Sequence, residues 1–404
     1  MDNVERKYDL YSQDFKRDSY TTFAKMRQDD PILHQSSLAG NEKIWFFSRY
    51  EDVEAILKDE RFSRDWRALL PEGHSYQYSS LENLIDNHML NRDGGDHRRL
   101  RNLVSIGFTP KRVRELRPRI EAIAAELISN VQANKKMDLM NDFAFHLPTI
   151  VILEMLGVPT EDRGKFKIWS NALIAPNTSE AGMAESVQHL TDFTDYLRNL
   201  FEERRKHPED DLVTALLQAE AEGDKLSEAE LFSTFVLLIV AGHETTVNLI
   251  GNAMLALWRN PEQLEHLKND PSLMPNAVEE FLRFDGSVER ALNRWVVEDL
   301  EYKGHSLKRG DPVILILASA NHDEATFIEA EKLDITRSPN PHLGLGKGVH
   351  YCLGAPLARL ETEIALNSLL ERLPNLRPDI SFDDLRWRFL PGFRGLTAFP
   401  VRWD

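Results

Sequence analysis

The chain has 404 residues, with 49 Lys and Arg against 65 Asp and Glu, a formal net charge of −16. That excess of negative charge excludes broad, non-specific nucleic-acid binding, and a 42% hydrophobic, 9% aromatic composition is that of a packed globular protein rather than a disordered one. A single cysteine, Cys352, excludes an intrachain disulfide and fits a reducing compartment.

The N-terminal stretch MDNVERKYDLYSQDFKRDSY is charged throughout and has no apolar segment of a secretory signal. The longest apolar run, FVLLIVAG at Phe235–Gly242, is far shorter than the roughly 20 residues that span a bilayer. These features predict a cytoplasmic protein with no membrane partner. No Gly/Ser- or Pro-rich linker and no internal repeat divides the sequence, so the expectation is one domain over residues 1–404.

In chain order, PILHQSSLAGNEKIWFFSR predicts a hairpin around Gly40–Asn41. Residues 92–119 hold nine Lys and Arg and three Asp and Glu, a local balance of +6. Phe108 is their only aromatic residue, which leaves a single-strand stacking platform unsupported. Ser227 followed by Glu230 is a capping-box pattern. It opens a helix predicted to run from Glu228 to Trp258, about 46 Å, with a middle apolar on all sides and therefore buried. Glu280 and Arg283, at i and i+3, read alone as a surface ion pair. VVEDLEYKGHSLKRGDPVILILAS predicts two or three strands with turns at Lys303–Gly304 and Arg309–Gly310, and RGLTAFPVRWD one more. The fold class is mainly α with a small β subdomain.

Cys352 lies in GKGVHYCLG, residues 346–354. Downstream, Leu353, Leu357, Leu360 and Ile364 fall at helical spacing and Pro356 suits a first turn. The thiol therefore precedes a helix N-terminus, where unpaired N–H groups and the dipole favour a thiolate. Gly346, Gly348 and Gly354 let the backbone approach a ligand closely. Such a loop offers an anionic sulfur to a flat cofactor with a central metal. Two other readings are a buried structural cysteine and a nucleophilic thiol with His350 as its base. Taken as an extended segment, the His350–Cys352 spacing favours separate roles for the two residues.

HLGLGKGVHYCLGAPLARLE, His342–Glu361, resembles the haem-binding loop of bacterial cytochromes P450, Phe and then Gly-x-Gly-x-His-x-Cys-x-Gly. Leu345 stands where that pattern has Phe, which bears on the redox potential. AGHETT, Ala241–Thr246, is similar to the acid–alcohol stretch of the family's central helix, and Glu280, Arg283 and Arg337 match its buried Glu-x-x-Arg brace and third member. The resemblance covers roughly Ser19 to Arg402.

It implies a cytochrome P450-like fold with a long central helix over the haem. The cofactor would be haem b, held by Cys352 as the metal ligand, and its propionates would be met by His97, Arg101, Arg294 and His350. Gly94–Gly95 replace the usual Pro-Pro before His97, which puts the preceding loop's conformation in question. Thr245 would hydrogen-bond oxygen as it is reduced, and Glu244 would relay protons. Their presence points to dioxygen with an external reductant rather than peroxide. The implied activity is hydroxylation of a medium-sized, largely apolar organic substrate lined by Trp66–Leu90, Trp169–Gly182, Leu237–Thr245, Ser287–Leu292 and Phe393. Electrons would come from a ferredoxin or flavodoxin-type donor with its reductase, docking at Arg98, Arg99, Lys111, Arg112, Lys347 and Arg359. The alternatives are a haem-binding sensor or carrier without turnover and a cysteine-nucleophile hydrolase.

Overall fold

A computed structural model describes residues 6–38, 40, 42–71, 74, 86–162, 164–166, 168–169, 180–218 and 226–404. Asn41 of the expected hairpin turn and much of the expected lining in Trp66–Leu90 and Trp169–Gly182 lie outside them. The chain divides into two compact units. The first comprises residues 1–76, 124–144 and 245–404, and the second residues 77–123 and 145–244.

The first unit contains the sheets. Strands β1 (Ile32–Ser36) and β2 (Lys43–Phe47) form the predicted hairpin, with Leu33 opposite Phe46. With β3 (Phe62–Ser63), β5 (Arg294–Val296) and β8 (Pro312–Leu315) they build one sheet in the order β1-β2-β8-β5-β3. Strand β4 (Lys136–Asp138) joins a second sheet with β9 (Arg377–Pro378) and β10 (Pro400–Arg402), the strand expected near the C-terminus. Strands β6 (Leu300–Tyr302) and β7 (His305–Leu307) pair alone. They turn at Lys303 and Gly304, both at positive φ (47° and 83°), the left-handed conformation a two-residue hairpin turn demands. The 294–315 region thus holds four strands rather than two or three. Its extra strand is only three residues long, too short to show a period of two.

The sheet buries one face on the helix Tyr50–Lys58, whose Val53, Ile56 and Leu57 pack with Phe47, Phe62, Val313 and Leu315. Its other face meets the N-terminal helix Ser19–Asp29 through Phe23 and Met26 against Phe46 and Ile314. Alternation along β2 and β8 feeds both cores at once.

The second unit is helical among its described residues. Helices Gly94–Ser105, His146–Met155, Glu180–Lys206 and Leu212–Gln218 carry most of it. The central helix, Glu228–Arg259, runs 32 residues and starts as predicted. Ser227 Oγ accepts from the Glu230 N–H at 3.2 Å, and Glu230 returns the bond to the Ser227 N–H at 2.8 Å. By length and composition this helix could cross a bilayer, but 67% of its most apolar stretch is buried inside the fold. Its apolarity is therefore accounted for by core packing.

Candidate active site

The helix after the cysteine runs Ala355–Arg372, with Gly354 as its N-cap and Pro356 in its first turn. Cys352 therefore sits just outside a helix N-terminus, as the sequence predicts. It is half-buried, and its N–H donates to the Leu345 carbonyl at 3.0 Å, closing the loop. That bond uses only the backbone of Leu345, so the Leu-for-Phe difference leaves the loop closure intact.

The loop is not an extended segment. Gly348–His350 form a 3-10 turn, and the expectation drawn from extended geometry fails on that ground. Residues two apart on a strand share a face in any case, so the spacing never separated His350 from Cys352. The glycines have individual reasons. Gly346 and Gly348 take φ of 72° and 74°, and a Cβ on Gly348 would come within 2.8 Å of the Leu57 carbonyl oxygen. A Cβ on Gly344 would approach the Leu282 carbonyl oxygen to 2.5 Å. The loop is thus pressed against two helices on one side. At Gly354, by contrast, an added Cβ would meet only the Cys352 sulfur, at 4.0 Å. A backbone bare of side chains beside a half-buried cysteine sulfur fits a loop that would hold a metalloporphyrin through that sulfur.

Glu280 and Arg283, on the helix Met274–Phe284, are both fully buried and joined by two bonds of 2.8 Å. This is not the surface pair that spacing alone suggests. Arg337 adds its guanidinium to the same carboxylate at 3.1 Å. Arg283 also donates to the carbonyls of Asn321 (2.9 Å), Ala330 (2.7 Å) and Lys332 (3.0 Å). The triad therefore ties the stretch that leads into the cysteine loop to a helix, with one carboxylate shared by two guanidinium groups that also donate to carbonyls.

Sequence reasoning missed the neighbouring clamp. Glu279, one residue before the triad, accepts from Arg359 at 2.5 and 2.9 Å and bonds His342 Nε2 at 3.0 Å. Arg359 in turn donates to the Tyr351 hydroxyl at 3.1 Å. Burial pushes the Glu279 carboxyl up, but the bonds from His342 and Arg359 prevail and hold it at about 2. One carboxylate thereby links the entry to the loop, the residue beside Cys352 and the helix that follows. Its partners lie 63 and 80 positions away, beyond the reach of local pattern.

Arg294 on β5 is buried, with Nη1 donating to the Phe62 carbonyl at 2.8 Å. In the second unit, His97 is buried and Arg101 half-buried, one turn apart on Gly94–Ser105. Gly94 takes φ of +58°, which proline, locked near −65°, cannot adopt. The Gly-Gly pair thus gives this helix a start that Pro-Pro would forbid.

On the central helix Ala241 is exposed and Val236, Leu237, Val240, Gly242 and Thr245 are partly accessible, while His243, Glu244 and Thr246 to Ile250 are buried. The accessible residues thus cluster at 236–237, 240–242 and 245, recurring every three to four positions in the middle of a largely buried helix. His243, which pattern reading passed over, presents Nδ1 to the Ile239 carbonyl at 2.6 Å and places Nε2 4.0 Å from Glu244 Oε2. A ring nitrogen facing a carbonyl must carry the proton, so the other nitrogen faces the acid.

Several cations expected at a docking surface are already engaged. Arg99 pairs with Glu230, Lys347 with Glu54 and Arg359 with Glu279. Among the described residues, Lys111 and Arg112 hold only loose pairs, at 3.8 Å to Glu115 and 3.9 Å to Asp210. Arg98 is exposed.

The cytochrome P450 family model matches residues 34–375. The chain belongs to the cytochrome P450 family. Its sequence is 42% identical over 396 residues to the polyketide biosynthesis cytochrome P450 PksS of Bacillus subtilis, covering 97% of each chain. The solved PksS structure superposes with a TM-score of 0.92, covering 98% of this chain and 100% of that one. A myxobacterial cytochrome P450, CYP267B1, solved with myristic acid, gives 0.91 at 41% identity, with 98% of each chain covered. P450BioI, solved with an acyl carrier protein carrying hexadec-9Z-enoic acid, gives 0.88 at 39% identity, covering 97% of this chain and 99% of that one. This P450 is thus a haem-thiolate monooxygenase with haem b as cofactor, using dioxygen, an organic substrate and an electron donor. The hydrolase and sensor readings fall away.

Proposed function

We propose that this P450 hydroxylates a medium-sized, largely apolar substrate in the cytoplasm, acting as one domain over its whole length. The observation that carries the site assignment is the half-buried Cys352 in a glycine loop braced by the Glu280 triad and the Glu279 clamp. Cys352 would hold the haem iron through its thiolate. Arg294 and His350, with His97 and Arg101 of the second unit, are assigned to the propionates, whose charge needs such donors. Haem, when bound, supplies oxygen activation and the oxidising power.

The remaining work falls to side chains. Thr245, partly accessible on the central helix, would offer its hydroxyl as a hydrogen-bond donor in oxygen activation. Glu244, buried beside it, passes protons toward that hydroxyl, and His243 holds the acid from its other flank. Leu237 and Ala241, apolar and four positions apart, would limit the water that reaches the substrate. A relative that holds myristic acid and another that holds an acylated carrier protein support an extended aliphatic chain as the substrate type.

For the electron donor, the free positive surface is narrower than sequence suggests. Arg98, Lys111, Arg112 and Arg114 are the cations that support docking of an acidic ferredoxin or flavodoxin-type protein, whereas Arg99, Lys347 and Arg359 serve internal pairs. Replacing Thr245 by Ala tests the core of the proposal. Electron consumption should continue while product per electron falls by about tenfold or more, in line with loss of a positioned proton donor. Unchanged coupling would remove Thr245 from its role.

A further inference from the structure

Five charged side chains lie buried together in the first unit, away from the cysteine loop. Lys16, on the short N-terminal helix Gln13–Arg17, is 2% exposed, and Glu289 is 0% exposed. The two form an ion pair. Arg394 donates to Asp285 at 2.6 Å and to the Lys16 carbonyl at 2.7 Å, and lies 3.9 Å from the second Glu289 oxygen. Tyr20 donates its hydroxyl to Asp285 at 2.9 Å. Arg290, also buried, reaches the Leu10 carbonyl. Three cations face two carboxylates, all out of water.

A buried lysine is an expensive way to hold a fold, since apolar residues of like volume commonly stabilise as well or better. What Lys16 does beyond pairing is specific. Its Nζ donates to the Phe393 carbonyl at 2.6 Å. Phe393 sits in a turn that meets Ser287–Leu292 chiefly through backbone bonds. These run from Glu289 N–H to Gly392 O (2.9 Å) and from Arg394 N–H to Ser287 O (2.9 Å), with a bridge between Val288 and Phe393. Burial splits this segment into two sides. Glu289 and Arg290 are buried in the ionic cluster, while Val288, Leu292 and Phe393 stay partly or largely accessible.

We propose that Lys16, through Glu289 and the Phe393 carbonyl, is a positioning residue that sets the spacing of the Phe393 turn from Ser287–Leu292 and so the shape offered to substrate. This rests on the reading that both stretches line the substrate side of a P450. Lysine suits the task because one compact ammonium can meet a carboxylate and a carbonyl in different directions. The pair spans 273 positions, so the first helix of the chain would tune specificity without touching the substrate.

The test uses the haem-loaded protein and two probes, imidazole and 1-dodecylimidazole, each titrated by its shift of the Soret band. Imidazole needs only the iron, whereas the dodecyl chain must also fit the apolar walls. Lys16→Met and the charge-free double variant Lys16→Met/Glu289→Gln should weaken 1-dodecylimidazole about tenfold, the scale of lost pre-organisation, and leave imidazole unchanged. Lys16→Arg should recover most of the difference. An unaltered ratio of the two dissociation constants in folded variants would overturn the proposal. So would loss of haem in all three variants, which would assign the cluster to folding alone. Failure of both azoles to shift the wild-type spectrum would instead count against the haem assignment, and is thereby distinguishable.

Discussion

Glu361 lies nine residues after Cys352, on the helix Ala355–Arg372, and is 1% exposed with no cation beside it among the described residues. One carboxyl oxygen is without a hydrogen-bond partner among the described residues; the Thr246 hydroxyl serves the group. Burial pushes its pKa up to about 8, and the Thr246 bond offsets only part of that. At neutral pH the native state therefore holds a proton that the unfolded chain, titrating near 4.5, has released. Stability from this group is complete below pH 4.5, declines as pH rises, and is gone above about 8. Raising a carboxyl from 4.5 to about 8 corresponds to roughly 5 kcal/mol across the window, a slope of about 1.4 kcal/mol per pH unit. Glu361→Gln keeps an acceptor for Thr246 and removes the titration. Urea unfolding of the haem-loaded wild type and variant, at steps from pH 5 to 9, isolates the group as a difference between two curves. The difference should move in the variant's favour up to pH 8 and then stay level. Parallel curves would refute the reasoning and show that Glu361 is ionised in the native state.

Two further expectations concern the brace and the docking surface. Arg283→Met leaves the buried Glu280 to Arg337 alone and strips three carbonyls of their donor, so the urea transition should report a loss of about 3 kcal/mol, with haem retained less well; a surface pair would lose under 1 kcal/mol. Arg112→Glu should slow reduction by a ferredoxin strongly at low ionic strength and weakly at high, since screening shortens the reach of a charge to about 8 Å at physiological salt. A salt-independent effect would contradict docking by charge.

What was legible in the sequence was local. The loop glycines, the helix after Cys352 and the capping box at Ser227 each state their geometry within ten residues, and each is observed. The Glu280–Arg283–Arg337 triad was legible only by resemblance, because i,i+3 spacing says nothing about burial. What stayed hidden were pairings between distant parts of the chain. Arg359 reads as a free cation until Glu279, 80 positions away, is placed against it. Lys16 reads as one of many charges in a polar N-terminus, and its burial depends on Glu289 and Phe393. Glu361 sits in ARLETE, which looks like a solvated helix face, and only the packing of Thr246 against it shows otherwise.

The central claim is that the Cys352 sulfur ligates the haem iron. Reducing the purified protein under carbon monoxide and recording its absorption spectrum tests this directly, with Cys352→Ser alongside. The wild type should show a strongly red-shifted Soret band that the serine variant lacks. A variant spectrum identical to the wild type would contradict the assignment.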